Sequence, residues 1–320
     1  MDPVPWREAW HTALYAAELG FYVTRGGPAA HFTTATHGVT GGVLADALLR
    51  LWNRSYEGPP KVVVDIGAGR GELLAHLLST ERAVGVEVIE RPEGLDPRIG
   101  WVRSPGGARL PEELGGLQDA LVIAHEWLDV VPCTIAEVDD RGRLREVLVD
   151  PATGEEQLGG DVGAEDAEWA AHHWRDPGPG ERVEVGRTRD AAWADLVSRV
   201  HSGLLVAIDY GHIGPTRPGA GTLMAYRAGS IVTPVVDGSC DLTAHVAMDS
   251  LDADQLVRQR ELLRELGVRG AAPEHARASD DPIAYLRALE RASVEAELIR
   301  PGGFGDFWWA VKHVKGPDVP

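Results

Sequence analysis

The run Lys61-Val62-Val63-Val64-Asp65-Ile66 is short and almost wholly apolar, and it passes directly into Gly67-Ala68-Gly69-Arg70-Gly71. An apolar strand without alternation has to be covered on both faces, as strands of parallel sheets are. Glycines at its end let the backbone turn sharply and approach a ligand closely. Glu72 to Ser79 (ELLAHLLS) then reads as helix, and Ala83 to Val88 (AVGVEV) as the next strand. Such a strand, turn, helix and strand predict an open α/β sheet with a ligand at the strand ends.

The turn is not that of a dinucleotide-binding protein. With glycines at 67 and 69, the G-x-G-x-x-G fingerprint needs its third glycine at 72, where the pyrophosphate would rest on the helix N-terminus. Glu72 stands there. Its carboxylate would face the phosphates, which argues against NAD. Glu87, closing the next strand, suits a pair of ribose hydroxyls as an acceptor.

The rest of the chain continues the alternation. Residues 6–20 read as a helix ended by Gly20, residues 21–38 as an ordered loop, and residues 43–53 as a second helix. Strands are expected at 99–103, 119–124 and 204–211, with a hairpin of 134–140 and 144–150 joined by Arg141-Gly142-Arg143. An acidic, glycine-rich insertion covers 151–182, a helix 189–200, and a long ordered loop 211–240. Helices around 252–266 and 282–297 and a strand at 307–314 complete a doubly wound α/β domain. The expected division is an N-terminal segment 1–57 covering the site and a main domain 58–320, with insertions at about 133–185 and 211–300.

Three further segments bear chemistry. His125-Glu126-Trp127-Leu128-Asp129-Val130-Val131-Pro132 follows the fourth strand and Asp209-Tyr210-Gly211 the fifth, both at carboxyl ends that face the ligand crevice. Asp241-Leu242-Thr243-Ala244-His245-Val246 comes next, preceded by Gly221-Thr222-Leu223. With Asp65 and the glycine loop, this ordered set resembles the MidA-like family of class I S-adenosylmethionine (SAM) methyltransferases. That family includes the mitochondrial complex I assembly methyltransferase. Its pattern is a glycine loop, N-E-x-x-D-x-x-P, D-Y-G, a T-L or T-F turn, and D-x-T-A-H/D-V. The resemblance runs from about residue 19 to about residue 250. Here His125 replaces the asparagine, His31 an aspartate and His37 a glutamate of the family pattern.

The resemblance implies a Rossmann-like class I methyltransferase fold: a doubly wound, mostly parallel sheet with an N-terminal helical segment and large insertions. It implies SAM as cofactor, held by Asp65, Gly67, Ala68, Gly69, Gly71, Glu87 and His125, and protein arginine as methyl acceptor. A guanidinium, with a pKa above 12, must be held by carboxylates and lose a proton as the methyl arrives. Glu126, Asp129 and Asp209 are the catalytic candidates, and Tyr22, Tyr210, Asp241 and His245 the substrate-binding ones. A small-molecule acceptor such as a carboxylate would instead favour Arg70, Arg187 or Arg217 in the cleft. A cofactor-binding assembly factor without turnover is the third reading, motivated by the three histidine replacements.

Charge narrows the partners. Thirty-one basic against 49 acidic residues give −18, a field that repels nucleic-acid backbones and anionic membrane faces. Cys133 and Cys240 suggest neither a metal site nor a disulfide framework. With no signal-peptide pattern and no 18-residue apolar run, a cytoplasmic protein is expected, with a homo-oligomer possible in principle. The ten tryptophans read as core and interface packing, and His172-His173 as surface or packing residues without metal. No G-x-S-x-G elbow supports a serine hydrolase.

Overall fold

The computed structural model describes residues 2–24, 35–36 and 38–316. Its centre is a seven-stranded sheet of β1 (Val62–Ile66), β2 (Arg82–Glu87), β3 (Ile99–Arg103), β4 (Ala120–His125), β5 (Gly203–Asp209), β6 (Gln255–Arg258) and β7 (Trp308–Val314). They lie in the order β6-β7-β5-β4-β1-β2-β3. The first five strands are parallel, and β7 runs antiparallel to both β5 and β6. β1, β4 and β5 are buried along their whole length, which is why their sequences show no polar face.

Successive residues of these strands serve opposite faces. Val63, Leu121, Ile123, Val206 and Trp309 pack on one side, in a core shared with Leu44 and Leu48 of the helix Gly38–Trp52. Val64, Val122, Leu205 and Ala310 pack on the other, with Trp193 and Leu196 of the helix Arg187–Ser198. A separate core joins the N-terminal helix Trp6–Tyr15 to Cys133, Ile135, Val147 and Leu242. The tryptophans read as core residues behave so: Trp6, Trp10, Trp52, Trp193 and Trp309 are almost fully buried.

Several expected boundaries shift. The first helix ends at Tyr15, not Gly20, because Ala16 turns to extended backbone. Gly20 sits in the turn beyond, where a Cβ would lie 2.6 Å from the Ala16 carbonyl oxygen. A short helix, Phe21–Thr24, opens the stretch expected as loop, and the helix expected from 43 starts at Gly38. The helix after the glycine loop is one turn, Glu72–Ala75, and the chain returns by tight turns, with the Thr80 hydroxyl on the Leu77 carbonyl. Residues 151–182 are not featureless: the hairpin 134–149 is extended by strands Glu156–Asp161 and Arg182–Val185 and flanked by the helix Ala164–His173. The expected loop 211–240 contains strands Met224–Arg227 and Ser230–Val232, paired in one sheet with Asp241–Thr243. Residues 255–258 add an edge strand to β7 before a shorter helix, Gln259–Glu265. No helix among the described residues is long and apolar enough to cross a membrane.

Candidate active site

The strand order reverses between β1 and β4, and ligands of open α/β sheets sit at such a switch point. Ile66 pairs with Ala124 in register, so the glycine loop leaves β1 directly beside His125 and Glu126. Gly67, Gly69 and Gly71 have φ of 72°, 57° and 85°, a region that side-chain-bearing residues rarely occupy. A Cβ on Gly71 would lie 2.7 Å from a Leu95 methyl. The loop closes towards β2: the Gly67 N–H donates to the Val86 carbonyl at 2.9 Å, and the Gly69 N–H to Glu87 Oε2 at 3.0 Å. Glu72 turns back on the loop, its Oε2 accepting the Arg70 N–H at 2.8 Å.

Beside this loop is a cleft lined by Gly67, Glu87, Glu126, Trp127, Tyr15 and Tyr22, with Ile66, Val86, Val88, Ser104, Gly106, Gly107 and Val130 completing it. Its empty space, open mouth included, is about 460 Å³. Tyr15 and Tyr22 reach it from the N-terminal segment and are stacked, with ring centroids 5.7 Å apart. Asp65 is buried under the loop, and burial raises its carboxyl well above the usual range. Burial also pushes Glu87 up to about 7, against the pull of its Val88 and Gly69 amide donors.

Glu126 is the exceptional residue of the cleft. Its φ is 50°, left-handed for a residue with a full side chain, while its N–H still completes the ladder to the Ile208 carbonyl. Such outliers cluster where function requires them. Its Oε1 is buried and accepts no hydrogen bond among the described residues. His125 Nδ1 lies 3.3 Å away, but burial lowers that imidazole to about 4, so it is no counter-ion at neutral pH. Burial first, then the nearby Asp129 and Asp241, push Glu126 up to about 8.

The remaining acids are arranged behind it. Asp209 accepts the N–H groups of Leu128 and Asp129 at 3.1 Å each, fixing the turn that bears Glu126 and Asp129. Asp129 accepts hydrogen bonds from the Tyr210 hydroxyl and, at 2.6 Å, from the Thr243 hydroxyl. Its other oxygen and one oxygen of Asp209 are buried without a partner among the described residues. Asp241 accepts from the Tyr22 hydroxyl at 2.8 Å and is pushed by burial up to about 8. Tyr210 is edge-on to His245 and Phe307, at 5.4 and 5.5 Å between centroids.

The structure thus brings Glu126, Glu87, Gly67 and Tyr22 together on one cleft, with Asp129, Asp209, Asp241 and Tyr210 in the network behind. His125 is buried with its ring 6.2 Å from Phe307, outside the cleft lining. His245 also stands outside that lining; its N–H donates to the Thr222 hydroxyl. His31 and His37 lie outside the described residues. His172 and His173 pack edge to face, and no metal-binding group of residues occurs among those described.

Two participants escaped the sequence reading. Tyr15 lies at helical spacing with core residues and so reads as packing. Arg189 is 1% exposed, and its guanidinium donates to the carbonyls of Val131, His245 and Asp129 at 3.0, 2.8 and 2.9 Å. It ties the acidic turn to the segment after Thr243. Nothing in RDAAWADLVSRV distinguishes that arginine from a solvated one.

A family model described as a putative S-adenosyl-L-methionine-dependent methyltransferase matches residues 90–265. The chain belongs to this methyltransferase family. It is a SAM-dependent enzyme of MidA-like type, as its ordered motifs implied. Two solved structures from Burkholderia thailandensis share the fold of this methyltransferase. One, of an uncharacterized protein, is 22% identical with a TM-score of 0.74, covering 98% of this chain and 88% of its own. The other, solved with S-adenosyl-homocysteine bound, is 21% identical with a TM-score of 0.73, covering 98% and 89%. No curated protein matches the chain. The site fits the cofactor: glycines leave room against the backbone, a carboxylate closes β2, and Trp127, Val86 and Val88 supply apolar wall.

Proposed function

We propose that this methyltransferase acts on a nitrogen of a protein side chain, arginine in the first instance. The observation that carries the reading is Glu126 Oε1, a buried carboxylate oxygen on the cleft with no donor among the described residues, backed by Asp129 Oδ1 and Asp209 Oδ1 in the same condition behind it. Buried acceptors normally find partners, and a guanidinium brings five N–H donors in a fork that suits paired carboxylates. SAM supplies the electrophilic methyl. Glu126 takes the proton that a guanidinium must lose, and its raised pKa suits a base working near neutral pH. Asp129 and Asp241 offset the remaining charge from behind the cleft, with Tyr22 as a contact on it and Tyr210 holding Asp129; His245, outside the lining, supports this network from the segment after Thr243. Asp209 acts by holding the turn.

On this reading Gly67, Ala68, Gly69 and Gly71 receive the cofactor's methionine part, with Asp65 supporting the loop and Glu87 accepting from the ribose hydroxyls. The N-terminal segment 1–57 covers the site through Tyr15 and Tyr22, and 58–320 is the catalytic domain. A carboxylate acceptor is less well served. Arg187 is paired with Asp166 and Glu165, Arg217 with Asp249, and neither they nor Arg70 line the cleft.

The test is transfer from methyl-tritiated SAM into a cell lysate, separated into protein and small-molecule fractions, with Glu126→Gln as the control. Label in protein that depends on Glu126 supports the proposal. Label confined to small molecules overturns it, and no label with intact cofactor binding supports a factor without turnover.

A further inference from the structure

Among its described lining residues the cleft carries two carboxylates, Glu87 and Glu126, and no lysine, arginine or histidine. Buried Arg189 is committed to three main-chain carbonyls, and Arg103, which donates to the Val88 carbonyl, pairs with Glu90; neither lines the cleft. A water-poor pocket with charge of one sign discriminates strongly between a cation and a neutral molecule of the same shape. Methyl transfer produces that pair of ligands. The methyl leaves as its bond to sulfur breaks, sulfur keeps the electron pair, and the sulfonium of SAM becomes the neutral thioether of S-adenosylhomocysteine (SAH). The positive charge passes to the acceptor nitrogen and is discharged when that nitrogen loses its proton.

We propose that Glu126 is a charge-selecting residue that makes the cleft hold SAM in preference to SAH, so that the reaction itself weakens the grip on its product. This rests on assigning the cleft to the cofactor. Glu87 contributes little to the selection, because the ribose hydroxyls proposed for it are common to both ligands. Glu126 is different: it lies with Gly67 on the same cleft, and its Oε1 has no hydrogen-bond donor among the described residues.

Burial sets the titration of Glu126 first, and Asp129 and Asp241 next. The groups around it are His125 and Asp129 on its own segment, Asp209 from the end of β5, and Asp241 from the small sheet. Tyr15 and Tyr22 from the N-terminal segment and Glu87 from β2 line the same cleft. His125 is neutral near pH 7 and the acids repel a further negative charge, so a proton occupies Glu126 in the free protein. A bound cation favours its departure. SAM binding therefore releases a proton near pH 7.5, and SAH binding does not.

Isothermal titration of the intact protein with SAM and with SAH, in buffers of different ionisation enthalpy at pH 6.5, 7.5 and 8.5, tests this. The wild-type SAM-to-SAH affinity ratio should exceed that of Glu126→Gln by about tenfold at pH 8.5, and Glu126→Asp should restore part of the difference. The ligands' own titrations are common to the proteins and cancel. If the glutamine variant does not fold, the difference in proton release between SAM and SAH on the wild type, corrected for the ligands' own titrations measured in free solution, decides alone. Equal proton release, or one ratio in all three proteins, overturns the proposal and leaves the cleft assignment standing. Gly69→Val, at a φ of 57°, should abolish binding of both ligands. If it binds both as the wild type does, the cleft assignment fails and the proposal with it.

Discussion

The Gly69 N–H and the Glu87 carboxylate meet at 3.0 Å, tying the loop after the first central strand to the end of the second. The bond uses one carboxylate oxygen, and the other accepts the Val88 N–H. Glu87 thus shapes the loop besides facing the cleft. Glu87→Ala should lower SAM affinity by at least about tenfold, since hydrogen bonds to charged groups are worth about 1.5–3 kcal/mol. Calorimetric titration checks this, and an unchanged affinity would remove Glu87 from the cofactor site.

Glu126→Gln should reduce turnover of the labelled acceptor by about 10²–10⁴-fold, the range of a general base, while SAM affinity falls by no more than about tenfold, the loss being greatest at pH 8.5. The two are compared by steady-state transfer and titration. Unchanged turnover would shift the role of base to Asp129.

The backbone at Glu126 is held at φ 50°. Gly occupies that region without penalty and Ala does not, so Glu126→Gly should be more stable than Glu126→Ala by about 1 kcal/mol. Both lack the carboxylate, which isolates the backbone effect. Denaturant unfolding of the two variants measures it.

Much of the fold was legible because β1, β4 and β5 are covered on both faces, and full burial writes itself as unbroken apolar sequence. The sheet of 224–243 was not. Its strands have three or four residues, too few for a period to emerge from glycine- and proline-rich surroundings. Residues 255–258 became a strand because β7 offers them an edge, a tertiary fact absent from local sequence. At the site, acids at strand ends could be located by position. Which oxygens are left without donors depends on Tyr22, Tyr210 and Thr243, which arrive from distant segments.

Buried acids also fix the pH dependence of stability. Glu87 at about 7, and Glu126 and Asp241 at about 8, all lie above their unfolded values near 4. At these three groups the folded state therefore holds more protons than the unfolded chain between about pH 4.5 and 8, while buried His125 and His212, lowered to about 4 and about 3, act in the opposite sense below about pH 6.5. The three acids' stabilisation is complete below that window and is lost as pH rises through the folded values. Tm should fall by several degrees between pH 7 and 9, and Glu126→Gln should flatten the fall. Calorimetric scans showing a rise over this range would contradict the site's electrostatics.

Arg189 presents no carboxylate within ion-pair distance among the described residues, yet it satisfies three buried carbonyls. Arg189→Met should cost about 3 kcal/mol or more, since buried acceptors left without donors cost about 1–3 kcal/mol each. Arg189→Lys should recover part of this in denaturant unfolding.

The chemistry of the labelled product tests the central claim most directly. Protein labelled by the enzyme and methyl-tritiated SAM is hydrolysed in acid, and the amino acids are resolved against methylated standards. The account predicts tritium in methylarginine, lost with Glu126→Gln. Tritium released as methanol by mild base would reveal a carboxylate ester and contradict it.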